Sequence, residues 1–202
     1  MKKLILFCSF CLILNSIHAI TGDTTFHQFR GDPLHPGLYS SSSNFEHVQR
    51  LWNFNAPAAI RSSPLVLDNS IYFGCADSNF YCISSKGLLT WTFKTDAAIN
   101  SSAAENHQTL FFTSRQNTLY AISRNGQLKW KLSLGQDLPY DWGFDYYNSS
   151  PIIDGSNLYV GSGDGNLYCI NWSTGKIAWK FKCHFQKTDS QLIGQLRDVK
   201  EP

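Results

Sequence analysis

Three tryptophans in this chain fall at one spacing, and a fourth follows after a small insertion. Trp52, Trp91 and Trp130 are 39 residues apart, and Trp179 comes 49 later. Ser62-Ser63, Ser101-Ser102 and Ser149-Ser150 keep the same step, as do Tyr81, Tyr120 and Tyr168. A period near 40 residues marks a repeat architecture, in which each unit buries its apolar surface only against its neighbours. The same logic puts function on loops carried by a repeated scaffold.

Each period breaks into short β-rich runs. In the first these are Ser63 to Leu67, Ser70 to Gly74, Asn79 to Ile83 and Trp91 to Lys94, separated by Asp68-Asn69, Asp77-Ser78 and Lys86-Gly87. The third repeats the scheme with Pro151 to Ile153, Asn157 to Gly161, Asn166 to Ile170 and Ala178 to Phe181. The runs alternate with period two, and no helical periodicity interrupts them. Asp164-Gly165 reads as a two-residue hairpin turn with positive φ at both central positions. Four short strands per unit predict a propeller blade. The expected fold is therefore all-β, a partial β-propeller of about three four-stranded blades plus the first strand of a fourth.

The first residues lie outside that fold. Lys2-Lys3, an apolar stretch from Leu4 to Leu14 and the small Ala19 read as a secretory signal peptide over residues 1–19, too short for a stable membrane anchor. Cys8 and Cys11 each follow a Phe, not the small residue of a lipoprotein signal, so the reading favours a soluble periplasmic or secreted protein. No later stretch is apolar and long enough to span a membrane. Removing Lys2 and Lys3 from the 17 basic residues leaves 15 against 15 acidic ones. A formal net charge of zero implies neither nucleic acid nor an anionic surface as partner. Residues 20–50 then lead into the propeller, 51–183 carry the repeats, and 184–202 form a divergent polar tail.

Four cysteines remain after processing: Cys75, Cys82, Cys169 and Cys183. Cys82 and Cys169 occupy the repeat position held by Ala121, which reads as a requirement for a small buried side chain. Cys75 and Cys82 flank a hairpin turn and are expected on one sheet face. Whether their sulfurs meet depends on turn length, and no bond is expected.

The stretch Cys169-Ile170-Asn171-Trp172-Ser173-Thr174-Gly175-Lys176-Ile177-Ala178-Trp179 resembles the tryptophan-docking motif of PQQ-like β-propellers, with Cys for Ala and Asn for Asp. The two earlier copies are one residue shorter and keep Gly87 with Trp91, and Gly126 with Trp130. Phe29 to Gly37 resembles the segment that precedes the first blade in BamB-like exported members of this family. The resemblance implies that Trp52, Trp91, Trp130 and Trp179 dock between blades while Gly87, Gly126 and Gly175 turn the chain sharply. Burial of each ring would contribute roughly 2–3 kcal/mol.

A closed propeller takes about 4–8 blades. Three suggest a truncated gene product whose longer relative closes the ring, or closure by self-association. The resemblance extends to quinoprotein dehydrogenases, which hold PQQ with calcium using adjacent cysteines, a catalytic Asp and Glu/Asn ligands. No adjacent cysteine pair or matching carboxylate cluster stands in the mature chain. The expectation is a non-enzyme with no cofactor and no metal site. It would act as a protein-interaction scaffold in the envelope, possible roles including outer-membrane protein assembly. The competing reading is a remnant of a PQQ-dependent dehydrogenase.

One insertion breaks the rhythm, between Gly135 and Ser149. It contains Asp141, Trp142, Phe144, Asp145 and Tyr146, aromatics interleaved with acids that could grip a peptide, a sugar or a cation. The plainer alternative is a loop that packs its aromatics over its own blade. Arg61, Asn100 and Asn148 precede the three Ser-Ser pairs and are expected around the channel mouth. These eight residues are the candidate partner-binding set.

Overall fold

A computed structural model describes residues 49–138 and 148–182. They form twelve strands in three four-stranded antiparallel sheets, each ordered as its strands follow in sequence. Blade 1 holds β1 (Leu65–Leu67), β2 (Ser70–Gly74), β3 (Asn79–Ser84) and β4 (Leu89–Lys94). Blade 2 holds β5 (Ala104–Asn106), β6 (Thr109–Thr113), β7 (Thr118–Ser123) and β8 (Leu128–Ser133). Blade 3 holds β9 (Ile152–Asp154), β10 (Asn157–Gly161), β11 (Asn166–Asn171) and β12 (Ile177–Lys182). The all-β, blade-by-blade expectation is borne out, and the strand awaited after blade 3 lies outside the described residues.

The turns follow from residues that tolerate positive φ. Asp68-Asn69 (φ 44° and 63°) and His107-Gln108 (φ 46° and 59°) link the first two strands of their blades, the primed geometry that suits the strand twist. The next hairpins differ from expectation. Gly165 alone, not Asp164, has positive φ (79°), and the N–H of Gly165 donates to the carbonyl of Ser162 at 3.1 Å. The loop is thus three residues, Gly163 to Gly165, ending in the left-handed region, and Ser78 and Asn117 fill that last position in blades 1 and 2.

That odd loop length corrects the cysteine reading. Tyr72 pairs with Cys82 and Gly74 with Phe80, so Cys75 points to the opposite face from Cys82. Cys82 joins the core between blades 1 and 2, whereas Cys75 joins Phe73, Tyr81 and Ile83 on the other side. Both are free thiols, as is Cys169, and burial pushes the thiols of Cys75 and Cys82 upward. Cys82, Ala121 and Cys169 sit opposite Trp91, Trp130 and Trp179, and a β-bulge follows each of them. A small side chain there leaves room beside the indole.

Blades 1 and 2 bury apolar residues on both faces, and among the described residues blade 3 does so on the face towards blade 2. Phe112 faces blade 1, where its ring stacks on Phe80 with centroids 4.0 Å apart, while Phe111 faces blade 3. The middle strand β6 is consequently buried along its whole length. At the inner edge the serine pairs join the blades. Ser101 Oγ donates to Thr113 O at 3.0 Å and accepts from Thr113 N at 2.8 Å, extending the ladder through a side chain. Ser62 does the same with Gly74. The second serine reaches the neighbouring blade: Ser63 N donates to Ser102 Oγ, and Ser102 N donates to Ser150 Oγ.

The indoles do the same at the outer edge. Trp52 Nε1 donates to Ser85 O (2.8 Å), Trp91 Nε1 to Arg124 O (3.1 Å) and Trp130 Nε1 to Trp172 O (3.1 Å). Each ring lies on the glycine of that turn. A Cβ on Gly126 would stand 3.0 Å from the Trp91 ring, and Gly126 has φ 84°. Gly126→Ala combines backbone strain with displacement of the ring. It should lower stability by about 2–3 kcal/mol, read as a lower urea midpoint with an unchanged m-value.

Beside the latch the two interfaces differ. Arg124 Nη1 meets Asp68 Oδ2 at 2.7 Å, and its Nη2 meets the buried Glu105 at 2.9 Å, joining blades 1 and 2. At the equivalent place between blades 2 and 3, His107 stacks on Trp172, centroids 5.2 Å apart. Arg124→Ala strips a buried carboxylate of its guanidinium and should cost about 3 kcal/mol. Arg124→Ala with Glu105→Gln should cost clearly less than the separate losses combined, as a double-mutant cycle in urea would read.

Candidate functional site

The three-residue loops and the connections into the innermost strands lie at one end of the blades. There they enclose a polar cleft of about 250 Å3 between blades 2 and 3. Thr113, Arg115 and Asn117 come from the β6 to β7 side, Asp137 from the β8 to β9 connection, and Asn148 and Ser162 from blade 3. Asn117 Nδ2 donates to Asp137 Oδ1 and, at 3.5 Å, to Gly135 O. Asn148 Nδ2 donates to Ser114 O at 3.3 Å, and Thr113 Oγ1 to Ser149 O at 3.0 Å. Gly163 is needed for this arrangement, since a Cβ there would stand 2.0 Å from the Asp137 carboxylate.

Of the sequence candidates, Asn148 lines this cleft. Arg61 and Asn100 hold the equivalent positions before Ser62 and Ser101 in blades 1 and 2, and neither lines it. Asp141, Trp142, Phe144, Asp145 and Tyr146 fall outside the described residues. Sequence reasoning missed Arg115, Asn117 and Asp137. Asn117 carries a signal, because it stands in the repeat position of Ser78 and Gly165 and adopts φ 54°. The lining holds one guanidinium and one carboxylate, with no nucleophile set against a general base among the described residues. It presents hydrogen-bond donors and acceptors from both blades.

The same loops hold two acid–phenol pairs, each a half-buried Asp facing a buried Tyr. Tyr81 donates to Asp77 and Tyr168 to Asp164, each at 2.6 Å. Burial alone would raise the Asp77 carboxyl, but hydrogen bonds from the Tyr81 hydroxyl and from the Asn79 side chain and backbone hold it below the usual value. Asp164 is lowered by the matching set from Tyr168 and Asn166. Burial, then the facing carboxylate, push Tyr81 and Tyr168 up to about 12. In blade 2 Gln116 replaces the acid, and the Tyr120 hydroxyl accepts from Asp96 N instead.

The linkage has a definite sign at each end of the pH scale. A depressed carboxyl stabilises the fold above its unfolded value near 3.9 and loses that contribution as pH falls through the folded pKa. A raised phenol stabilises fully below about 10 and loses that contribution as pH climbs towards the folded value. Urea midpoints should therefore be level around neutrality and fall at both extremes. Tyr81→Phe with Tyr168→Phe should flatten the alkaline limb and leave the decline beyond pH 10 shallower than in the parent.

Four-stranded antiparallel blades latched edge to edge by indoles define a propeller-type repeat protein. The chain belongs to the family described as outer membrane protein assembly factor BamB, whose pattern matches residues 48–193. No curated protein sequence matches it closely enough to count as a relative. Among solved structures it is similar to BamB from Moraxella catarrhalis at 15% identity and TM-score 0.54, over 65% of this chain and 39% of that one. The computationally designed Ika4 protein is similar at 15% identity and TM-score 0.55, over 68% of this chain and 82% of that one. Quinohemoprotein alcohol dehydrogenase ADHIIG from Pseudomonas putida HK5 is similar at 18% identity and TM-score 0.52, over 63% and 21%. Likeness at these identities concerns the fold, and the chain spans well under half of the BamB and dehydrogenase structures.

The PQQ and calcium of the quinoprotein dehydrogenases can be tested against the residues present. Among the described residues no three His, Cys, Asp or Glu side chains gather as metal ligands, and Cys75, Cys82 and Cys169 are buried singly. These residues do not fit that group, and no step of its chemistry is built from them.

Proposed function

We propose that this chain is a non-catalytic scaffold of the bacterial envelope. In this reading the leader at residues 1–19 exports it to the periplasm, where its loops recruit protein components of outer-membrane assembly. The family match across all three blades, to a family described as an assembly factor, is the observation that carries the reading. The polar cleft supports it, since it offers hydrogen-bonding groups without a reacting constellation. Arg61, Asn100 and Asn148 would border the binding end. Asp141, Trp142, Phe144, Asp145 and Tyr146 would supply the aromatic and acidic contacts to an extended protein segment.

The test is crosslinking in a Gram-negative host carrying the whole chain with its leader. The tagged protein is expected in the periplasmic fraction, crosslinked to outer-membrane assembly components. Trp142→Ala with Tyr146→Ala should weaken the recovered complex by about tenfold or more, equivalent to at least 1.4 kcal/mol of binding. Retention in the cytoplasm, or unchanged crosslinking by that variant, would overturn the loop-mediated scaffold. Reconstitution with PQQ and calcium that yields bound quinone absorbance and dye reduction would favour the dehydrogenase remnant instead.

A further inference from the structure

The seat that receives each indole is already taken on the leading face of blade 1. Trp52 lies on Gly87, where a Cβ would stand 2.7 Å from its ring, and donates to Ser85 O. Residues 52–59 thus reproduce, against blade 1, what residues 91–98 do against blade 2. The N–H of Ala76 donates to Ala59 O at 2.9 Å, as that of Arg115 donates to Ala98 O at 2.8 Å. Phe54 sits edge-on to Phe73 and Tyr81, and Cys75 Sγ donates to Ala58 O. The segment from Trp52 to Ala59 is not assigned to any strand, yet it covers the leading face as a preceding blade's outer strand would.

The trailing face of blade 3 carries the matching half of the interface. Trp179 and Phe181 stand where Trp91 and Phe93 stand in blade 1, but they are 46% and 61% exposed. Among the described residues Trp179 contacts the Tyr159 ring and finds no glycine turn and no carbonyl for its N–H. This surface continues the blade-to-blade interface that the chain forms twice internally.

We propose that Trp52 and Trp179 are rivals for one seat. The N-terminal segment from Trp52 to Ala59 is a cis cap, and once it is lifted the trailing face of blade 3 docks on the Ser85-Lys86-Gly87 turn of a second copy. The cap prevails in the intact chain because a tethered segment acts at an effective concentration on the order of millimolar. The trans contact is head-to-tail, so uncapped copies would either close a ring or extend as a fibre. Such a contact goes beyond the scaffold reading and does not depend on it.

Sedimentation velocity on the leaderless chain, over a wide concentration range, tests the rivalry. Trp52→Ala should associate about tenfold or more tightly than the parent. Adding Trp179→Ala should return it to parental behaviour. A peptide of residues 49–60 should disperse the Trp52→Ala assemblies, whereas the same peptide with alanine for tryptophan should not. Trp52→Phe keeps an aromatic ring beside Gly87 but loses the N–H donor and part of the indole's contact area, so it serves if Trp52→Ala fails to fold, with a smaller gain in association expected. The proposal is overturned if the folded Trp52 variant sediments as the parent does, or if the double variant still associates.

Discussion

An indole seated on a left-handed glycine of the next sheet is the contact on which the rest of this fold depends. Each blade has apolar residues on both faces, and four short strands cannot bury two faces by themselves. The sheets must stack, and something must fix their relative position. Trp91 does so with its ring against Gly126 and its N–H on Arg124 O, a contact that is apolar and directional at once. The serine pairs fix the other end, as Ser63 N reaches Ser102 Oγ and Ser102 N reaches Ser150 Oγ. Two pins at opposite edges define the angle between neighbours. Because the tryptophan always reaches forward along the chain, blades add in one direction only.

Contacts beside the latch were free to differ. Where blades 1 and 2 meet, Arg124 gathers Asp68 and Glu105, and where blades 2 and 3 meet, His107 lies flat on Trp172. The exposed Asp68 arm of the first arrangement weakens with salt and the second does not depend on it. Both occupy the same place in the repeat. A position that accepts an ion pair in one copy and a ring stack in the next does not determine the architecture. Its chemistry can vary so long as the indole and the glycine are kept.

Much of the architecture was legible because it recurs. The tryptophans, the glycines after Lys86, Asn125 and Thr174, and the small residues at Cys82, Ala121 and Cys169 each announce a role by returning at the repeat period. Loop parity was not legible. Asp77 accepts from Asn79 N with its side chain, so an Asp before Ser or Gly marks a three-residue loop as readily as a two-residue one. That single residue decides which face Cys75 occupies. The Ser-Ser pairs were visible as landmarks, but the bonds of the second serine in each run between blades and are set by tertiary distance. Asn148 stood out for the same periodic reason, and it lines the cleft between blades 2 and 3. Asn117 and Asp137 were not, because their meeting depends on Gly163 leaving space on a neighbouring blade.

The way polar groups are used also bears on where function can sit. Ser62 and Ser101 spend their hydroxyls twice over on backbone, and Tyr81 and Tyr168 are committed to Asp77 and Asp164. Groups so engaged are poor candidates for chemistry, since recruiting one would leave its partner without its hydrogen bond. The polar groups that line an open surface gather instead at the loop end, from Arg115 and Asn117 across to Asn148 and Ser162. An interior committed to latching blades, with polar loops gathered at one end, agrees with the proposed scaffold role. The same division explains why its outermost faces need covering. A trailing face built for an indole seat is adhesive towards any blade that offers one, and the segment around Trp52 takes the seat on blade 1 first.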